Sequence, residues 1–446
     1  MRALIDTLKN IYKIEDLRNR IFTTLALVLI YRLGTMVVLP GINPAALDNL
    51  RSQSAEGILG LINMFSGGAF ANASVFALGI MPYISASIVV QLMGMAVPYF
   101  QRLQRDGESG RNKLNQITRF LTVGITALQA PSYILNLQNQ LSKDAFELQG
   151  FLFWFTSIVI LIAGTMFVMW LGEKITDKGI GNGISLIIMI GIIARLPMAL
   201  AGEFMSKLNE RAGGLVAFLF EMVFLFLIFA ASIALVQATR RIPVQYAKRI
   251  VGNRQYGGQR QYIPLKVNAA GVMPIIFAQA IMFIPMIATN FSSDGASWIV
   301  SIFGNYTGFG YNFVFGLLIV AFTYFYTAVT YNPVQMADDM KKNGGFIPGV
   351  KPGKKTVEFI DTVMSRITLP GSIFLALVAI LPAIAMKLHI ESQFAHFFGG
   401  TSLLILVGVV LDTLQQIESH LLMRHYDGLM KSGRIKGRAS GVGASI

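Results

Sequence analysis

Basic residues and apolar runs alternate along this chain, and only a polytopic membrane protein needs that alternation. Thirty of the 37 Lys and Arg fall in six segments, 1–20, 98–119, 172–183, 239–266, 332–366 and 424–446. Ten apolar runs lie between these segments and stretches poor in basic residues: 21–39, 74–97, 120–137, 151–171, 184–200, 215–237, 269–288, 312–331, 369–387 and 402–423. Each is near the roughly 20 residues a helix needs to cross a hydrocarbon core. Basic loops stay on the cytoplasmic side. The pattern therefore predicts ten crossings with both termini in the cytoplasm.

Only 13% of residues are charged, against about 25% in a soluble domain. The loops leave no room for a separate soluble domain, so residues 1–446 read as one all-α membrane domain. The first apolar run is long and lacks a small-residue cleavage site, as a retained span would. The chain has no cysteine, which excludes disulfides and thiolate metal sites. Its four histidines, His389, His396, His420 and His425, show no metal-ligand spacing, and no cofactor is expected. The net charge of +14, gathered on one membrane face, should attract anionic lipid and an acidic protein or RNA partner.

The loops carry three readings. Residues 56–70 hold an apolar piece too short to cross, broken by Ser66-Gly67-Gly68. It reads either as a re-entrant element tucked into a cavity from the outer side or as a helix lying flat on that surface. Loop 239–266 has Arg240, Arg241, Lys248, Arg249, Arg254, Arg260 and Lys266, with tyrosines interleaved and no acid. A hairpin around Gly257-Gly258 would hold these clear of the membrane, either as topology-setting charge or as a surface for a large partner. Loop 332–366 contains Gly349-Val-Lys-Pro-Gly353-Lys-Lys-Thr356. This is not a phosphate loop, because three residues rather than four part its glycines and Lys355 intervenes before Thr356. The Gly179-Ile-Gly-Asn-Gly183 turn joins two apolar runs and is no dinucleotide fingerprint. Nucleotide hydrolysis by this chain is excluded on those grounds.

Ionisable residues inside spans usually face a bundle interior. Here they are Arg32, Arg195, Glu221, Asp412 and Glu418. Arg195 and Glu418 lie near helix ends and are expected to snorkel, whereas Arg32 and Asp412 need partners. Gln91, Asn268 and Gln279 accompany Pro82 and Pro274 in or beside the second and seventh runs, either as ordinary interhelical hydrogen bonds or as a seam that opens. Isoleucines at i and i+4, Ile80 with Ile84 and Ile184 with Ile188, share helix faces. Periodicity alone favours lipid contact for those faces over a pore lining.

Seven motifs occur in order: Phe65-Ser-Gly-Gly68, Leu78-Gly-Ile-Met-Pro-Tyr-Ile-Ser-Ala-Ser87, Gly107-Glu-Ser-Gly-Arg111, Gly179-Ile-Gly-Asn-Gly-Ile-Ser185, Pro264-Leu-Lys-Val-Asn268, Phe346-Ile-Pro-Gly349 and Gly399-Gly-Thr-Ser-Leu-Leu-Ile405. Together they closely resemble the SecY family, central subunits of the protein-translocation channel in the bacterial cytoplasmic membrane. The resemblance covers nearly the whole chain.

It implies two pseudo-symmetric halves related as an inverted repeat, residues 1–200 and 201–446, with the functional path at their interface. It implies an apolar constriction at Ile80, Ile84, Ile184, Ile188, Ile276 and Ile405, which reverses the lipid-facing reading of the isoleucines. Such a ring can dewet and seal against ions yet deform around a polypeptide. Residues 57–73 would be a plug, including Ile58, Leu59, Leu61, Ile62, Phe65 and Ser66. Gln91 and Asn268 match polar positions beside a lateral gate between spans two and three and spans seven and eight. Arg240, Arg241, Lys248, Arg249, Arg254 and Lys351 fall on loops that contact the ribosome, including its rRNA, or the SecA motor ATPase. Two departures stand out: Asn253 occupies a position where arginine is common, and Lys351 replaces the usual Arg, a change that matters wherever a planar bidentate contact is made. The small subunits SecE and SecG and signal-bearing preproteins complete the implied partners. The rival readings are a small-solute transporter, which needs a mid-membrane polar site, and a lipid-modifying enzyme, which needs a catalytic cluster at one membrane face.

Overall fold

The computed structural model describes residues 14–47, 60, 63–141, 145–148, 150–209, 214–246, 249–251, 254–256, 260–279, 281–282, 307–388 and 390–431. Helix dominates. α1 spans Glu15–Gly34, α2 Met81–Ala96, α3 Pro98–Arg105, α4 Gly107–Gln140, α5 Phe151–Lys178, α6 Gly183–Ile193, α7 Leu196–Asn209 and α8 Gly214–Gln237. After a stranded loop come α9 Phe309–Thr330, α10 Pro333–Lys342, α11 Lys354–Lys387, the single turn α12 Ser392–Ala395, and α13 Gly400–Lys431. A further helical stretch covers 273–279.

Among the described residues seven helical segments are long and apolar enough to cross a membrane, and eight if α2 and α3, bent by 101° at Val97, count as one. α1 carries too many charges in its first turns to qualify by composition, and the seventh predicted run extends past the described residues. The second run was expected to be helical from residue 74. Instead 66–80 form a chain of turns. Gly79, at φ +54°, adopts a conformation cheap only for glycine, and Pro82 then sits in the first turn of α2, where its missing N–H costs nothing.

A polar side chain inside a membrane helix needs a partner, and three threonines of α4 find theirs on their own helix. Thr118, Thr122 and Thr126 each donate to the carbonyl one turn back at 2.7–2.9 Å. This leaves a small-residue stripe buried where α4 packs on α2 and α5, the packing that membranes favour between helices.

Among the described residues the strands lie in the basic loops. β1 (Thr239–Tyr246) pairs antiparallel with β4 (Arg260–Lys266), and β2 (Arg249–Val251) pairs with β3 (Arg254–Tyr256). A hairpin is therefore present, but its turn is not the expected one. β1–β4 and β2–β3 share one register that closes between Val251 and Arg254, not around Gly257-Gly258, which falls between β3 and β4 on one arm and outside the described residues. β5 (Gly345–Phe346), from the second basic loop, adds to the free edge of β1, with Gln245 opposite Phe346. Ile242, Val244 and Leu265 from the first loop bury a shared apolar core with Met340, Ile347, Ile360 and Met364 from the second. Two loops that read as independent are one small body.

Candidate functional site

One apolar cluster runs through the middle of the helical bundle and gathers most of the predicted constriction. Ile80, Ile188 and Ile405 are buried in it, and Ile84 and Ile184 pack against it half-buried. Each arrives by a local rule. Ile80 precedes α2 and its carbonyl accepts the Ile84 N–H, which places the two one turn apart. Ile184 and Ile188 follow the Asn182 cap of α6, whose side chain accepts from the Ile184 and Ser185 amides. Ile184 also leans on α5, its Cγ1 only 2.9 Å from where a side chain on Gly172 would begin. Ile276 is half-buried between the buried Ile275 and Phe277. Branched aliphatic side chains gathered this way exclude water and ions without a fixed polar contact.

The predicted plug meets the same cluster. Met64 and Phe65 belong to it; Ile58, Leu59, Leu61 and Ile62 lie outside the described residues. Ser66 and Asn63 are buried and knit the segment from within. Ser66 Oγ donates to the Asn63 carbonyl and accepts from the Phe70 amide, both at 3.1 Å. Asn63 Oδ1 accepts from the Ala71 amide at 3.0 Å. The outer-surface alternative for this stretch fails, because Asn63 to Ala71 are buried throughout. Arg32 finds its partner here: its guanidinium donates to the Gly67 carbonyl at 2.9 Å. Arg195 does not snorkel. It is half-buried, its guanidinium 3.6 Å from the position a side chain on Gly68 would take.

Gln91 and Asn268, the predicted gate amides, share a feature with several other buried polar side chains, Asn136 and Gln140 of α4 among them. Each has a buried side-chain oxygen that accepts no hydrogen bond from the described residues, at a cost of about 1–3 kcal/mol apiece. The Gly179–Gly183 turn, by contrast, is fully engaged. Its amides at 180, 181 and 183 donate to Thr24, Gln416 and Thr176 at 2.8–3.1 Å, so α1, α5 and α13 all fasten one turn. That is why the motif is rich in glycine and carries no ligand chemistry.

Among the predicted contact residues, Arg240 and Arg241 are exposed on β1. Lys351 lines an open hollow of about 620 Å³ together with Lys355, Phe359 and Arg366. Arg249 and Arg254 have their backbones in β2 and β3, and Lys248 lies outside the described residues.

An ionic cluster escaped the sequence reading. Lys207 Nζ sits 3.4 Å from Glu203 and 3.2 Å from Glu221, and Glu203 accepts the Glu391 amide at 2.8 Å. Lys207 lies beyond the fifth apolar run, which ends at 200, but α7 continues to Asn209 and carries it inward. The helical spacing of Glu203 and Lys207 at i and i+4 was the available signal. Burial, aided by the Glu203 charge, holds the Glu391 carboxyl above the usual range. His396, between α12 and α13, is buried, and burial with the nearby Arg195 charge pushes its imidazole down to about 4.

The family model for SecY matches residues 74–414. Protein translocase subunit SecY of Streptomyces scabiei is 42% identical over 433 residues, covering 94% of this chain and 98% of that protein. The corresponding subunit of Mycobacterium tuberculosis is 41% identical over 450 residues, covering 97% of this chain and 100% of the relative. The chain belongs to the SecY family. SecY-family proteins are multi-pass channel subunits and not enzymes. The fold agrees: a solved structure described as a protein-conducting channel aligns with a TM-score of 0.61 at 16% identity, over 95% of each chain. Sec61 in a canine ribosome–channel complex aligns with a TM-score of 0.53 at 15% identity, again over 95% of each chain.

Proposed function

We propose that this chain is the pore of a translocase that passes unfolded preproteins across the bacterial cytoplasmic membrane and releases apolar segments sideways into lipid. The observation that carries the reading is the single apolar cluster uniting Ile80, Ile84, Ile184, Ile188 and Ile405 with Met64 and Phe65. These side chains, with Ile276, form the constriction, and residues 57–73 are the plug beneath it. The halves 1–200 and 201–446 meet at that constriction. Gln91 and Asn268 line the gate; their unpaired oxygens favour a seam that a signal sequence opens by binding the open state more tightly. Family membership displaces the transporter and lipid-enzyme readings.

The termini and both basic loops face the cytoplasm. Arg240, Arg241, Lys248, Arg249, Arg254 and Lys351 contact SecA or the ribosome there, and SecE and SecG complete the complex. The fused loop body supports this reading, because it sets the exposed arginines of β1 and the Lys351 hollow on one rigid unit.

The test is photocrosslinking from position 84 to a stalled preprotein in reconstituted vesicles. A crosslink that requires a functional signal sequence is expected. Absence of a crosslink, with the chain inserted and partners present, overturns the pore assignment.

A further inference from the structure

The trailing turn of the plug is gripped from two sides. From α1, Tyr31 Oη donates to the Ser66 carbonyl at 3.2 Å and Arg32 donates to the Gly67 carbonyl at 2.9 Å. From α6, Gly191 meets Gly67 backbone to backbone: a side chain on Gly191 would begin 3.1 Å from Gly67 Cα, and one on Gly67 would begin 2.9 Å from Gly191 Cα. Gly67 and Gly68 have φ of +66° and +95°, so the turn exposes its carbonyls in a conformation that other residues hold only under strain. The acceptors are main-chain oxygens, so the grip reads the shape of the turn and not its side chains. Breaking it leaves a buried guanidinium or carbonyl without its partner, which makes release a discrete step.

We propose that Tyr31, Arg32 and Gly191 form a latch that holds the plug's trailing turn and sets how strong a signal sequence must be to displace it. This rests on the plug reading above. Tyr31 and Arg32 are positioning residues and Gly191 is a notch; each acts on when the plug leaves. Arg195, packed against Gly68, adds a second cation on the far side of the same turn.

The experiment compares export of a preprotein with a defective signal, and ion leak of the idle channel, in Y31F, R32Q, R32K and G191A, with insertion of each verified by protease protection. Losing one neutral hydrogen bond shifts an equilibrium about fivefold and losing a charge-assisted one about tenfold or more. Y31F should raise defective-signal export about fivefold and R32Q about tenfold, with R32K between wild type and R32Q because it keeps a donor. G191A should act in the same direction by crowding Gly67. A deletion of residues 57–68 separates the two ideas. If the deletion relaxes signal stringency while Y31F and R32Q leave it unchanged, the latch is wrong and the plug stands. If the deletion also changes nothing, the plug reading falls and takes the latch with it. Should R32Q fail to insert, Y31F alone decides, since removing one hydroxyl leaves the packing of Tyr31 in place.

Discussion

Lys207→Met removes the cation that pairs with Glu203 and Glu221 in a buried ionic cluster and leaves the surrounding side chains nearly unchanged in volume. Lys207 is 6% exposed, Glu203 0% and Glu221 12%, so neither carboxylate is free to recover hydration by turning outward. Removing one partner of a buried pair costs about 3–5 kcal/mol, mostly because the remaining charge stays uncompensated. Here two carboxylates remain, with Glu391 beside them. The cluster joins the end of α7, the first turns of α8 and the 388–391 connection, so the loss should appear as local opening there. Hydrogen exchange of peptides from 196–221 and 388–395 should lose about two to three orders of magnitude of protection, since each 1.4 kcal/mol is tenfold. Peptides from α4 and α5 should be unaffected. Replacing all three groups, K207M with E203Q and E221Q, should restore most of the protection, because a neutral set of similar volume no longer buries charge. Unchanged protection in K207M refutes the ionic account, and a triple variant as labile as the single one assigns the effect to the packed lysine stem instead.

Three further outcomes follow from the same reasoning. Gly183→Ala places a methyl 2.0 Å from the Gly172 carbonyl oxygen, closer than any real contact, and should destabilise the α5–α6 pair by about 3 kcal/mol; a wild-type melting curve in detergent would contradict this. His396 contributes stability that is fully present above its ordinary value near 6.5 and is lost as pH falls towards its folded value of about 4, about 3 kcal/mol in all at 1.36 kcal/mol per unit. His396→Phe should flatten that slope in thermal melts taken between pH 7 and 4, and an equal slope in both proteins would exclude His396 as its source. Ile347→Ala, at a position 3% exposed, should cost about 2–5 kcal/mol and expose loop 239–266 to protease while the membrane helices stay intact. Resistance equal to wild type would show that the two loops are held together by other contacts.

The multi-pass character was legible because it depends on composition alone: recurrent apolar runs of spanning length set which segments can cross. The boundaries were less so. Nothing in the apolar run from 74 signals that 74–80 are turns, since Phe76, Ala77 and Ile80 are as apolar as a helix would need. Only Gly79 and Pro82 hinted at the later start. The isoleucine faces show a stronger limit. Period placed Ile80 with Ile84 and Ile184 with Ile188 on shared faces, but period cannot distinguish lipid from an apolar interior, and the family resemblance was needed to turn those faces inward. Arg195 was misjudged for a related reason. Its distance from a helix end allowed snorkelling, and the backbone of a segment well over a hundred residues earlier in the chain drew it inward instead. The β1–β5 pairing was invisible because β5 is two residues long and carries no periodicity.

That short pairing also orders the making of the protein. β1 and β4 are joined by the short β2–β3 pair and can close once Lys266 has left the ribosome. β5 joins only after α9 and α10 have been made, since Phe346 must reach Gln245. Until then β1 keeps a bare edge, the kind of edge that other chains add to. The interval lasts as long as it takes to synthesise the intervening helices and insert α9. During it the basic hairpin is a half-built surface, and Ile347 cannot yet cover Ile242 and Val244. The loop body thus matures last among the parts that its first strand belongs to. A nascent chain stalled between residues 266 and 345 would carry the arginines of β1 without the fixed geometry that later holds them.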